Sequence, residues 1–204
     1  MHAIVTSSRI AAVVLAAGRS TRMGADKLRL PWRGRTMLEW VLGAACALPS
    51  VILVGGPHDI SGMPTQVTRV SGTVSGPASS TSQGSLPGQA ESLKAGIRAL
   101  PCGLDGAMVL LGDMPLITPE LVVKLAQAFR PGRFLVPRCD GRRGNPVIIP
   151  SDWFARVLEL KGDTGARSLL ASPNAPVDYL AVDDPAILTD VDTPEDYARL
   201  KNQP

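Results

Sequence analysis

Three short runs of unbroken aliphatic residues set the terms for this chain: Ile10-Ala-Ala-Val-Val-Leu15, Val51-Ile-Leu-Val54 and Ala107-Met-Val-Leu-Leu111. Each is bounded by glycine or turn residues, is too short for a free-standing helix and shows no polar face. Such runs predict strands buried on both sides. Between them lie stretches with helical spacing. Residues 37–48 are apolar on most sides and end at Pro49, which predicts a buried helix. Ala90, Leu93, Ile97 and Leu100 predict an amphipathic helix over 89–100. Strands alternating with helices need crossovers, and crossovers make a mainly parallel sheet with helices on both faces. The expected fold is α/β, one domain over residues 1–204 in three α/β/α layers.

The remaining elements fit that scheme. A strand is expected near 67–70. Thr118 caps, and Pro119 and Glu120 open, a helix to about Phe129. Residues 134–136 and 147–149 read as strands, and Ser151-Asp152 as the cap of a helix reaching about Leu160. A late strand is expected over 177–182. Thr193-Pro194-Glu195-Asp196 opens the last helix. From 56 to 88 the chain is rich in Ser, Thr, Gly and Pro, and 71–87 reads as a flexible surface loop.

Composition removes several classes of function. With 45% hydrophobic and 19% charged residues in 204, the chain can build a sizeable core and is not broadly disordered. No apolar run approaches the roughly 18 residues of a membrane span, so no membrane partner is expected. A net charge of +3 is too small to argue for nucleic acid. Cys46, Cys102 and Cys139 lie far apart and suggest neither a disulfide framework nor a zinc site, which points to a reducing, cytoplasmic setting. The start of the chain resembles a weak signal peptide, but its basic segment is thin and its apolar run short. His2 and His58 are too few for a histidine metal site.

Ligands of open α/β sheets gather at the carboxyl ends of the strands. Two suspect clusters fall there. After the first strand comes Gly18-Arg-Ser-Thr-Arg-Met-Gly-Ala-Asp-Lys27, which places Arg19, Arg22 and Lys27 beside Gly18 and Gly24. Glycines let backbone amides approach an anion, and the three cations suit a polyphosphate. The loop is neither a Walker A sequence nor a dinucleotide GxGxxG; a solvated basic turn is the bland alternative. After the third strand comes Asp113, placed either to bind Mg²⁺ near bound phosphates or to bond its own turn. Asp190 and Asp192 alternate in a strand-like segment, so both could point to one side and complete a metal site, or could serve the following helix as caps. Charge is polarised to match. Residues 1–40 hold seven Arg or Lys (9, 19, 22, 27, 29, 33, 35) against two acids (26, 39), and 178–196 has the opposite bias. Two glycine-bracketed loops, Asp140-Gly-Arg-Arg-Gly-Asn-Pro146 and Lys161-Gly-Asp-Thr-Gly-Ala-Arg167, are weak signals alone.

In order along the chain, LAAGRSTRMGADKLRLP, GQAESLKAGI, VLLGDMPLIT, GRRGNPVIIP, LKGDTGAR and DVDTPEDY resemble the MobA-like nucleotidyltransferases, over about residues 10–200. Within that family they are most similar to the molybdenum cofactor cytidylyltransferase branch. The resemblance implies a Rossmann-like sheet and Mg²⁺-dependent transfer of CMP from CTP to the terminal phosphate of molybdopterin. The products would be molybdopterin cytosine dinucleotide and pyrophosphate. Ala16-Ala17-Gly18 stands where the guanylyltransferase branch usually has a glycine pair. By the same resemblance Leu15, Ala16, Ala17 and Gly18 would lie against the base and ribose, with Arg19, Arg22 and Lys27 against the phosphates. Asp113, helped by Asp190 or Asp192, would hold the metal, and Gly88 and Ser92 would touch the nucleotide. Arg22, Lys27 and Asp113 would be catalytic. A client molybdoenzyme is an implied partner. Asn145 replaces the family's usual histidine, and Ala90 and Glu91 replace its small hydroxyl residues. Three alternatives stay open: another phosphorylated acceptor, GTP as donor, or a nucleotide-binding carrier that delivers cofactor without catalysis.

Overall fold

A computed structural model describes residues 8–17, 26–55, 64–71, 88–162 and 165–202. In chain order the elements are β1 (Ile10–Ala16), β2 (Pro31–Trp32), β3 (Arg35–Thr36), α1 (Met37–Ala45), β4 (Val51–Gly55), β5 (Val67–Val70), α2 (Gln89–Arg98), β6 (Gly106–Leu111), α3 (Pro119–Ala128), β7 (Phe134–Cys139), β8 (Arg142–Arg143), β9 (Val147–Pro150), α4 (Phe154–Leu158), α5 (Ala166–Leu170), β10 (Val177–Ala181) and α6 (Pro194–Lys201). The main sheet runs β10-β7-β9-β6-β1-β4-β5, with β8 paired to β7.

The aliphatic runs occupy the centre. β1 lies parallel between β4 and β6, with Val13 opposite Ile52 on one side and Val109 on the other. β5 and β10 also join in parallel. β9 alone in this path is reversed, antiparallel to β6 and β7. The cause is chain length: only residues 140–146 separate β7 from β9, and a parallel return needs a crossover of about a dozen residues or more. The chain turns back instead, through Asp140 (φ 50) and Gly141 (φ 74), the left-handed pair that a tight hairpin turn requires.

Alternate β1 residues feed two cores, as strand geometry demands. Ala12 and Val14 pack with Leu38 and Val41 of α1 and with Leu121 and Leu125 of α3. Val13 faces the other way, toward Leu93 and Ile97 of α2, Val157 of α4 and Leu169 of α5. Helices thus cover both faces, and the α/β/α layering is as expected. α2 lies very close to the sheet because position 96 is glycine: a Cβ there would stand 2.4 Å from Val13 Cγ1.

Side-chain caps open three helices, two of them, α3 and α6, where the sequence marks them. Thr36 and Glu39 form a capping box on α1, Thr118 accepts from Leu121 N on α3, and Thr193 and Asp196 form a second box on α6. The Ser151-Asp152 reading is corrected. Those residues form a 3₁₀ turn, Ser151–Trp153, with no side-chain cap, and α4 begins only at Phe154. Pro150, at the end of β9, is extended and leads directly into that turn. The β2–β3 hairpin and α5 have no clear sequence signal. Two-residue strands carry no readable period, and α5 is barely one turn.

A small third core decides where the chain's end lies. Trp32 of the hairpin, Met37, Val191 and Leu200 pack together, flanked by Trp40 and Tyr197. The Tyr197 hydroxyl donates to the Pro31 carbonyl at 2.5 Å, tying α6 to β2. This core draws the acidic end of the chain across the carboxyl rim of the sheet.

Candidate active site

β1 and β6 end side by side at that rim. Gly112 N donates to Leu15 O at 2.9 Å, which carries the ladder one step beyond the strands and sets Asp113 just past their ends. The Asp113 carbonyl in turn accepts from Val191 N at 3.0 Å. That bond, with burial of Val191 in the third core, brings Asp190 and Asp192 over the rim.

Lys27 comes from the segment just before β2. It opens a 3₁₀ turn, Lys27–Arg29, whose start is capped by Asp26 accepting from Leu28 N. Leu28 is buried in the first core and anchors the turn. Lys27 Nζ lies 2.7 Å from Asp113 Oδ2 and 2.5 Å from Asp192 Oδ1. The lysine side chain is only 9% exposed, so the ammonium is committed to the pocket and not to solvent.

The Asp192 side chain does not cap α6. Thr193 and Asp196 cap α6 without it, and Asp196 Oδ2 also accepts from the Asp192 backbone N–H. The helix cap therefore fixes the Asp192 backbone and leaves its carboxylate for Lys27. The segment is not a strand, as the alternation suggests, but part of an irregular strap between the 3₁₀ turn Pro185–Leu188 and α6.

The electrostatics are those of a shared cation. Burial by itself would lower the Lys27 pKa, but the charges of Asp113 and Asp192 and their hydrogen bonds outweigh it and leave it raised. Asp190 is pushed up, first by burial of its carboxyl and then by the negative charge of Asp192 and Asp113. Asp113 Oδ1 is buried with no hydrogen-bond partner. An orphaned carboxylate oxygen is costly unless something else uses it. Among the described residues, no group of three or more His, Cys, Asp or Glu side chains is disposed to hold a metal ion by itself.

The structure thus brings together Lys27, Asp113 and Asp192, with Asp190 near enough to feel their charge. Leu15 and Ala16 end β1 at the same rim. Gly88 is the N-cap of α2 without a side-chain cap, and Ser92 is buried one turn later. Gly18, Arg19 and Arg22, and most of the 71–87 loop, lie outside the described residues. Val191 and Tyr197 are positioning residues that sequence reasoning missed. The available signal was an apolar residue held between two acids and a tyrosine opening the last helix.

A mainly parallel sheet that collects a lysine and two carboxylates at the ends of its first and third buried strands has the architecture of a nucleotidyltransferase. The chain belongs to the family described as the MobA-like NTP transferase domain, which matches residues 12–177. It is 34% identical to the Bacillus subtilis purine catabolism protein PucB over 91% of this chain and 92% of that protein. It is 27% identical to the Escherichia coli molybdenum cofactor cytidylyltransferase over 96% of this chain and 97% of that one. The crystal structure of Rv0371c from Mycobacterium tuberculosis covers 97% of this chain and all of its own, with a TM-score of 0.79 and 29% identity. A further crystal structure of Rv0371c is a complex with manganese. No described helix is long and apolar enough to cross a membrane.

Proposed function

We propose that this nucleotidyltransferase moves CMP from CTP to the terminal phosphate of a molybdopterin-type cofactor, releasing pyrophosphate, in the cytoplasm. The observation that carries the reading is the Lys27–Asp113–Asp192 contact at the carboxyl rim. The sequence likeness to the cytidylyltransferase and Ala16-Ala17 in the first motif support CTP as the donor. The free thiols of Cys46, Cys102 and Cys139 suit a reducing compartment.

A hard divalent cation fits the residues present. The donors are carboxylate oxygens, and Asp113 holds one of them buried and unspent. Mg²⁺ is commonly bound by one or two carboxylates together with substrate phosphates, so the lack of a three-acid cluster among the described residues is no misfit. Asp113 and Asp192 would hold the ion, with Asp190 beside them. When bound, it would supply neutralisation of charge on the triphosphate.

The protein's own part is positioning and charge. A phosphate oxygen of the acceptor is already ionised at neutral pH and attacks the α-phosphorus without a general base. Negative charge then grows on the bridging oxygen and the departing pyrophosphate. Lys27, with Arg19 and Arg22 of the same sequence motif, would meet that charge. The Leu15–Gly18 backbone would face the base and ribose, with Gly88 and Ser92 on α2 beside the nucleotide.

The test is incubation with each of the four NTPs, Mg²⁺ and molybdopterin, reading pyrophosphate and product mass. CTP-dependent pyrophosphate with a cytosine dinucleotide product is expected. Likeness to a relative named for purine catabolism favours a second reading, the same transfer to another phosphorylated acceptor. In that case molybdopterin would be inert while an acceptor screen still released pyrophosphate.

A further inference from the structure

Lys27 does more in this geometry than wait for a phosphate. Its ammonium bonds one oxygen, Asp113 Oδ2 and Asp192 Oδ1, of each of the two carboxylates that the proposed function gives to the divalent cation. It is nearly enclosed there, and Asp190 adds a third negative charge nearby. A pocket with this much negative charge needs a cation at all times, and the fold supplies one from its own chain.

A divalent ion on the same carboxylates would lie within a few ångströms of the ammonium, and like charges that close repel strongly where water is scarce. The lysine and the metal are therefore alternative occupants. A triphosphate offers Lys27 a competing anion. Once the ammonium moves onto it, Asp113 Oδ2 and Asp192 Oδ1 become free beside the orphaned Asp113 Oδ1.

We propose that Lys27 is the resident cation of this pocket, and that it bars a divalent metal from Asp113 and Asp192 until nucleotide phosphates draw it away. Metal binding is then conditional on nucleotide, and the acids are never left uncompensated between turnovers. The inference rests on the metal reading above and adds an order of binding to it.

The probe is Mn²⁺ alone, titrated against the full chain and followed by the loss of its free electron-spin-resonance signal and by thermal unfolding. Without nucleotide, Lys27→Met is expected to bind Mn²⁺ at least about tenfold more tightly than the unsubstituted protein, as removal of a close like charge implies. Its melting temperature should rise with MnCl₂ while that of the unsubstituted protein stays put. Lys27→Arg keeps the charge and should exclude the metal. Lys27→Gln keeps a donor against both carboxylates and should behave as Lys27→Met does, which guards against a loss of fold in the latter. Adding each NTP in turn to the unsubstituted protein should bring Mn²⁺ retention above that of protein-free nucleotide. Equal Mn²⁺ affinity in the unsubstituted protein and the neutral variants, with retention still seen on adding nucleotide, overturns this inference and leaves the metal reading standing. No Mn²⁺ retention under any condition overturns both.

Discussion

Lys27 and Asp178 are inverted versions of one arrangement. At the carboxyl rim, one cation is shared by two carboxylates; at the opposite, amino edge, one carboxylate is shared by two cations, with Asp178 bonded to Arg130 and Arg133 at 2.8 and 2.7 Å. The arginines are 71% and 44% exposed, whereas Lys27 is 9% exposed. Asp178 has both its oxygens engaged; Asp113 has one left over. The amino-edge cluster is complete in itself and fastens the approach to β7 onto β10. The rim cluster has opposite charges in the same ratio but ends in an unspent acceptor, and that difference sets the structural clamp apart from the proposed site.

Substitutions should widen the contrast. Asp113→Ala or Lys27→Ala is expected to cut turnover by about a hundredfold or more while the fold persists, measured by pyrophosphate release and circular dichroism. Asp178→Ala should leave turnover within about twofold, because nothing at the amino edge meets substrate charge. If Asp178→Ala lost as much activity as Asp113→Ala, the distinction between clamp and site would be gone.

Stability should separate them next. Lys27→Ala strips the counter-charge from two carboxylates. It should cost about 2 kcal/mol in denaturant unfolding, less than the 3–5 kcal/mol typical of fully buried pairs because Asp192 is half exposed. Asp178→Ala should cost about 1 kcal/mol or less, since its partners are hydrated and screened, and most of that should vanish in 1 M salt.

pH acts on the two clusters from opposite ends. The Lys27 pKa is raised above its ordinary 10.5, so its contribution is complete below that value and is lost as pH rises through the higher, folded one. At Asp178, burial would raise the pKa, but the hydrogen bonds and charges of Arg133 and Arg130 win and leave it below 3.8. Its contribution is present above 3.8 and is lost as pH falls through the lower, folded value. Melting temperatures across pH should show Lys27→Ala converging on the unsubstituted protein in alkali, and Asp178→Ala converging in acid. An effect of similar size is expected at the strap: Thr193→Ala removes the α6 cap for about 1 kcal/mol, read as a drop in melting temperature.

Much of this architecture is legible in the order of residues alone. The aliphatic runs become β1, β4 and β6 because an unbroken apolar segment has no face to leave in water. Thr118 and Thr193 mark helix starts because a hydroxyl there satisfies a backbone N–H whatever the rest of the fold does. Lys27 and Asp113 stand out because each follows a buried strand in a glycine-punctuated turn. The reversal of β9 is hidden because an apolar run of four residues has the same pattern in either direction. The hairpin of β2 and β3 is hidden because its reason to exist is Trp32 packing against residues of α1 and α6.

By itself the sequence determined what local periodicity and stereochemistry can carry: which of the longer segments are strands and which are helices, where several of them begin, and which charged residues follow strand ends. Only the tertiary structure decided that Lys27 would close on Asp113, 86 residues away, and on Asp192, 165 residues away. The reason is physical. That contact depends on a bond from Val191 to the Asp113 carbonyl and on a third core that gathers Trp32, Met37, Val191 and Leu200. Such meetings are selected by the packing of the whole chain, and no window of neighbouring residues contains them.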